Sequence, residues 1–103
     1  MRSAPTTVLV LSLLAVVAGC GSEITLESGD GSRTLTYSCG DFSHQAERVE
    51  DMKILMHHAP KVMDKMIERE MIVSAESLTS AVQSNNFRRA EELIVEFKCS
   101  ENR

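Results

Sequence analysis

A chain of 103 residues with a formal net charge of −4 is long enough for one domain and carries no excess of Lys and Arg. This balance argues against nucleic acid as a partner and against adsorption to anionic lipid by charge alone, because both need concentrated positive charge. The sequence contains no Trp, so we expect a core built mainly from Met, Leu, Ile, Val and Ala.

The first segment, residues 1–19, has the pattern of a signal peptide. Arg2 precedes an apolar run from Val8 to Ala18, followed directly by small residues. The run is too short to span a bilayer, which takes about 20 residues. We therefore expect export and removal of this leader.

The leader ends in Val17-Ala18-Gly19-Cys20, which resembles the lipobox of bacterial lipoproteins. The resemblance implies cleavage before Cys20 and acylation of this cysteine, for example with palmitate. It also implies a lipid-anchored envelope protein, at the outer membrane facing the periplasm if the source is Gram-negative. The alternative is ordinary cleavage after Ala18, which would leave an odd number of cysteines in an oxidising compartment.

Residues 20–40 follow as the lipidated cysteine and a predicted β-hairpin. Apolar residues alternate in two short runs, and a turn sequence lies between them at residues 28–32. A flexible tether between lipid and domain is the alternative interpretation. An isolated hairpin is marginally stable in water, so a persistent one must pack on the rest of the chain.

Residues 41–103 form a predicted helical domain. Its first helix spans residues 41–71, with Asp41 or Ser43 as its cap, and it either kinks at Pro60 or ends at His58. At 100° per residue an apolar stripe covers one side of this helix. The stripe contains the methionines that we consider a candidate binding surface: Met52, Met56, Met63 and Met66.

Two shorter helices follow in the sequence. Met71-Ile72-Val73 predict a buried corner, after which Ser74 caps a short helix. Asn85-Asn86 predict a break, and a last helix extends from Phe87 to about Lys98. The predicted fold class is α+β and mostly helical, with a hairpin or tether before a three-helix unit.

Cysteine positions predict one disulfide. Cys39 precedes the helical unit and Cys99 follows it, so a Cys39–Cys99 bridge would join its two ends. Closing a loop of this length contributes about 4 kcal/mol in the chain-entropy model. Two free thiols are the alternative, which is less compatible with an exported chain.

Residues that could carry chemistry do not assemble into a known motif. No nucleophile elbow, zinc-protease helix or phosphate loop surrounds the polar candidates Asp41, Ser43, His44, His57 and His58. Soft Met and His ligands suit copper, but the imidazoles of His57 and His58 project away from the methionine stripe. We therefore expect no enzymatic activity and no cofactor or metal.

The sequence thus favours a non-enzymatic, membrane-anchored interaction module with an envelope protein as partner. Its architecture is similar to that of secretin pilotins and, in size, to entry-exclusion lipoproteins. The alternatives are a Met/His metal-binding envelope lipoprotein and an inhibitor or immunity protein for an exported toxin.

Overall fold

The computed structural model describes residues 22–102. Two strands precede three helices, which confirms the predicted α+β, mostly helical fold. The elements are β1 (Glu23–Glu27), β2 (Thr34–Ser38), α1 (Val49–Glu68), α2 (Ile72–Gln83) and α3 (Phe87–Glu101). The predicted signal peptide, residues 1–19, and the lipid-acceptor Cys20 lie outside the described residues.

The two strands form the predicted antiparallel hairpin. Ile24 pairs with Tyr37, and Leu26 pairs with Leu35. All four side chains are buried, as their alternation along the strands predicts, because successive residues of a strand point to opposite faces. The hairpin packs on α1 and α3, so this part of the chain is a packed element and not a tether.

The turn between the strands depends on Asp30. One of its carboxylate oxygens accepts hydrogen bonds from the Ser28 hydroxyl at 2.7 Å and from the Ser32 amide and hydroxyl at 3.0 and 2.7 Å. Hydrogen bonds from Ser32 and Ser28 lower the pKa of Asp30 to about 2. Gly31 has φ 76°, a left-handed conformation that glycine adopts without steric cost.

Helix α1 is shorter at both ends than predicted. The sequence favoured residues 41–71, with Asp41 or Ser43 as cap, whereas the helix begins at Val49 and ends at Glu68. The chain before Val49 is not helical, because its amides bind side chains elsewhere in the fold, as described below. The helix continues through Pro60, which is exposed, so the chain does not break there.

The predicted buried corner at Met71-Ile72-Val73 is wrong for two of its three residues. Met71 packs against the core, but Ile72 and Val73 are 49% and 76% exposed. Helix α2 begins at Ile72, so Ser74 lies within the helix and does not cap it. Val73 lies about 160° around this helix from the buried Ala75, which explains its exposure.

The predicted break and last helix are confirmed. Asn85 has φ 58°, and the Asn86 side chain accepts a hydrogen bond from the Arg89 amide at 3.2 Å, which caps α3. The inner face of α3 contributes Ala90, Leu93, Ile94 and Phe97 to the core. The helix extends to Glu101, slightly past the predicted end.

The hairpin and the three helices share one hydrophobic core, and one disulfide lies at the edge of this core. Cys39 and Cys99 are bonded with their Cα atoms 5.6 Å apart, which confirms the predicted pairing. Glu101 forms ion pairs with Lys65 and Arg69, so α1 and α3 end side by side. Within residues 22–102, no helix combines the length and apolarity that a membrane span needs.

Candidate functional site

The polar residues that the sequence singled out do not form a nucleophile–base pair. The Ser43 hydroxyl accepts a hydrogen bond from the Gln45 side chain at 2.8 Å. His44 Nδ1 lies 2.6 Å from a carboxylate oxygen of Glu91, and its Nε2 lies 3.4 Å from Glu92. Ser43 and His44 therefore bind different partners, and both residues lie in the segment that precedes α1.

The centre of this region is Glu91, a carboxylate that is only 1% exposed. One of its oxygens accepts hydrogen bonds from the Tyr37 hydroxyl and from the amides of Gln45 and Ala46, the last two at 2.8 and 2.9 Å. The other oxygen contacts His44. We call these five residues the Glu91 cluster. It connects β2, the segment before α1, and α3.

Two opposing effects act on the pKa of Glu91. Burial raises the pKa, because a charged group loses its hydration. The hydrogen bonds from Tyr37, His44 and the two amides favour the ionised form, and together they hold the pKa below its ordinary value. Burial and the neighbouring carboxylate raise the pKa of Tyr37, which therefore remains a hydrogen-bond donor.

A second buried carboxylate, Asp51, holds the start of α1. Its oxygens accept hydrogen bonds from Arg33 Nε at 2.6 Å and from the amides of Glu47 and Arg48 at 3.1 and 3.2 Å. The hydrogen bond from Arg33 is the main reason that the pKa of Asp51 lies below its ordinary value. Asp51 thus joins the hairpin to the first turn of α1.

Both carboxylates are saturated with partners from the protein itself. Their geometry supports anchoring of the segment before α1, since each oxygen already has a donor and little solvent access. Sequence reasoning missed both residues, because a Glu in α3 and an Asp in the first turn of α1 look like ordinary surface residues. The one sequence feature that could indicate burial of Glu91 is its position next to Ala90, and this indication is weak.

The structure separates the histidines from the methionines of α1. His58 Nε2 lies 2.9 Å from the Glu27 carbonyl oxygen, so this ring faces the hairpin. Met63 instead lies against α2, with its sulfur 3.0 Å from the Thr79 hydroxyl. Burial lowers the pKa of His58. Within the described part of the chain, no group of three or more His, Cys, Asp or Glu side chains could hold a metal ion.

The four methionines proposed as a binding surface do not share one environment. Met66 is only 1% exposed and belongs to the core, so it cannot contribute to a surface in this conformation. Met52, Met56 and Met63 are partly buried. The predicted surface therefore needs correction: Met66 belongs to the core, whereas the other three methionines are partly exposed along one edge of the helix, with Met63 next to α2.

Along that edge, α1 exposes an apolar strip that we call the α1 band. It consists of Val49, Met56, Met63 and Ile67. Their spacings of seven and four residues place them on one side of the helix, over a length of about 27 Å. Val49 and Ile67, at the two ends of the band, are 64% and 55% exposed.

Helix α2 forms the other wall beside the C-terminal half of this band. Ile67, Ile72, Ala75 and Thr79 contribute to the lining of a shallow groove of about 370 Å³. The Thr79 hydroxyl donates a hydrogen bond to the Ala75 carbonyl oxygen at 2.8 Å. The groove surface is largely apolar, although Glu76, Ser80 and Gln83 also line it.

Comparison of the chain with protein-family models, with curated proteins and with solved structures gave no match.

Proposed function

We propose that this protein is a lipid-anchored lipoprotein of the bacterial envelope that acts as a non-enzymatic protein-interaction module. Its binding surface is the α1 band with the adjoining part of the groove on α2, at Ala75 and Thr79. The single observation that carries the proposal is the row of exposed and partly buried apolar side chains along α1, ending at Ile67.

The band suits an amphipathic helix of a partner protein. Helical segments that dock in apolar grooves use anchors at i, i+3, i+4 and i+7, a set about 10 Å long, so a strip about 27 Å long has room for two such sets. Met56 and Met63 add unbranched, polarisable side chains that can repack around different apolar surfaces. A contiguous patch of exposed apolar side chains often marks an interaction site, whereas single exposed apolar residues are common on protein surfaces.

The cysteines support the proposed location. An intramolecular bridge between Cys39 and Cys99 is typical of oxidising compartments outside the cytoplasm. It also leaves Cys20 available for acylation at the lipobox-like sequence. Two or more acyl chains give stable membrane attachment.

The anchor is tested by replacing Cys20 with serine in the full chain. We expect Cys20→Ser to remain as unlipidated precursor or to become soluble, with loss of the mass of the acyl chains. Unchanged partition into detergent, or a wild-type mass without acyl chains, would contradict the lipoprotein assignment.

The interaction surface is tested by site-specific photocrosslinking in cells that express the full chain. A photoreactive residue at Met56 should form a discrete adduct with an envelope protein, which mass spectrometry identifies. Thr25, exposed on the outer face of the hairpin, is the matched control position. The partner segment identified in this way is then titrated against the purified protein.

The substitution Ile67→Asp should weaken this binding by at least about tenfold, because it places a charge in the apolar contact. Equal adducts from Met56 and Thr25, or unchanged affinity of Ile67→Asp, would refute the α1 band as the binding surface. Retention of the disulfide and of helical content checks that the variant is folded.

A further inference from the structure

We propose that the end of the helical bundle that carries Ile72 and Val73 contacts the membrane, with both side chains inserted among the lipid headgroups and upper acyl chains. This inference rests on acylation of Cys20, which is part of the proposed function. It adds an orientation: the lipid-anchored domain contacts the membrane with this end instead of rotating freely about its lipid anchor.

Ser22, at the start of the described chain, is held at one end of the helical bundle. The carbonyl oxygen of Ser22 accepts a hydrogen bond from the Cys39 amide at 2.9 Å. Cys39 is in turn bonded to Cys99 in the last turn of α3. Ser22 is therefore fixed at the C-terminal end of α3.

A very short length of chain separates Ser22 from the residue that we propose to be acylated. Cys20 and Ser22 are two residues apart, so their Cα atoms are separated by about 7 Å at most. One headgroup layer is about 5–7 Å thick, because the two polar layers together add about 10–15 Å to the hydrocarbon core, so Ser22 lies no farther from an acylated Cys20 than roughly the depth of this layer. An acylated Cys20 therefore draws the C-terminal end of α3 to the membrane surface.

Ile72 and Val73 lie at the same end of the helical bundle as Ser22. Glu101 binds Lys65 at 3.4 Å and Arg69 at 3.0 Å, and the Arg69 guanidinium lies 5.2 Å from the centre of the Phe97 ring. The last turns of α1 and α3 are thus adjacent. The short connection after α1 leads directly to Ile72 and Val73, the first two residues of α2.

The chemistry of this end fits a lipid surface. Ile72 and Val73 are 49% and 76% exposed, and transfer of such side chains to an apolar environment is favourable. Lys65 and Arg69 already pair with Glu101, and Glu68 and Glu70 add negative charge, so this end has no net positive charge that would attract headgroups. Insertion should therefore depend on the aliphatic pair and on the lipid anchor, which raises the effective concentration of this end at the membrane.

The test uses the absence of Trp from the chain. Val73→Trp and Val49→Trp each give a single fluorescent reporter, the second at the opposite end of α1 and at a comparable exposure. Each acylated variant is reconstituted in phosphatidylcholine vesicles that contain a fraction of chain-brominated lipid, which quenches only tryptophans at membrane depth. We expect Val73→Trp to emit at shorter wavelength and to be quenched, and Val49→Trp to stay accessible to aqueous acrylamide.

A further variant, Val73→Trp with Ile72→Asp, should shift the emission back to longer wavelength and reduce the bromolipid quenching. Protein that floats with the vesicles while Val73→Trp stays fully aqueous would overturn the inference and leave the lipid anchor intact. A blue shift without bromolipid quenching would also overturn the inference, because protein and not lipid would then surround the tryptophan of Val73→Trp. Failure to float, together with a mass without acyl chains, would refute the anchor and the inference together.

Discussion

The two flanks of α1 are held to the rest of the molecule in different ways. On the hairpin flank, Asp51 binds Arg33 and two amides, and His58 contacts the Glu27 carbonyl oxygen. On the α2 flank, Met63 lies near the Thr79 hydroxyl, and the remaining contact is aliphatic. Polar contacts fix the hairpin flank, whereas the α2 flank leaves apolar side chains exposed.

The difference follows from the elements that each flank must hold. A two-stranded hairpin and the non-helical segment after it cannot satisfy all their backbone groups alone, so buried carboxylates and a disulfide hold them. A helix such as α2 satisfies its own backbone and needs only side-chain packing. We infer that the hairpin flank serves stability and the α2 flank serves binding.

The largest expected effect is loss of the disulfide. The variant with Cys39→Ser and Cys99→Ser should lose about 4 kcal/mol of unfolding free energy, since the bridge closes a loop with a sequence separation of 60. For a domain of this size the melting temperature should fall by roughly 15–30 °C. Thermal unfolding by circular dichroism measures it, and an unchanged midpoint on reduction of the wild type would contradict the role of the bridge.

The next effect is loss of the Glu91 carboxylate. Glu91→Ala should cost about 3 kcal/mol, because it leaves the buried Tyr37 hydroxyl and the amides of Gln45 and Ala46 without an acceptor. Its neighbour Glu92 is partly exposed, so Glu92→Ala should change stability by about 0.5 kcal/mol or less. Urea unfolding measures the free energy of unfolding of both variants. Equal losses would show that the Glu91 cluster contributes no more to stability than a partly exposed side chain.

Acid should weaken the hairpin flank in a defined pH window. The pKa values of Glu91 and Asp51 are lower in the folded state than their ordinary values of 4.5 and 3.8. Their contribution to the free energy of unfolding is therefore complete above about pH 4.5, and it decreases as the pH falls through the folded-state pKa values. Unfolding free energy measured against pH should fall in this range, and Glu91→Gln should flatten the curve. An identical pH dependence in this variant would exclude Glu91 as a source of the acid sensitivity.

The smallest expected effect on stability is that of replacing Ile67 on the α2 flank. The buried Ile54 of the same helix provides the comparison. Ile67→Ala, at a side chain that is 55% exposed, should cost less than about 1 kcal/mol. Ile54→Ala, at a side chain that is 1% exposed, should cost about 2–5 kcal/mol because it leaves a cavity. A large loss from Ile67→Ala would mean that the α1 band has a structural role, and it would weaken the proposed function.

Local patterns in the sequence predicted much of the fold. Strand alternation and turn chemistry at Asp30 and Gly31 gave the hairpin, because both depend on neighbouring residues. The break at Asn85-Asn86 was predicted for the same reason. The Cys39–Cys99 pair followed from counting cysteines under the hypothesis that the chain is exported.

The predictions that failed depend on contacts between distant parts of the chain. Residues 41–48 look like the start of a helix, but Glu91 binds the amides of Gln45 and Ala46 from more than forty positions away. Ile72 and Val73 look buried by composition, but α2 begins at Ile72 and places Val73 on the opposite side of the helix from the buried Ala75. The methionine stripe was found from its period, but the period cannot tell which of its members α2 covers.

The position of Cys99 has a consequence for the order in which the molecule is completed. The covalent ring from residue 39 to residue 99 includes all three helices, so it cannot close before the last turn of α3 has been synthesised. Until then Cys39 remains reactive toward thiols of other chains, and a chain truncated before residue 99 stays in that state. The oxidised monomer is therefore a chemical marker of a finished molecule, which a non-reducing gel separates from its incomplete products.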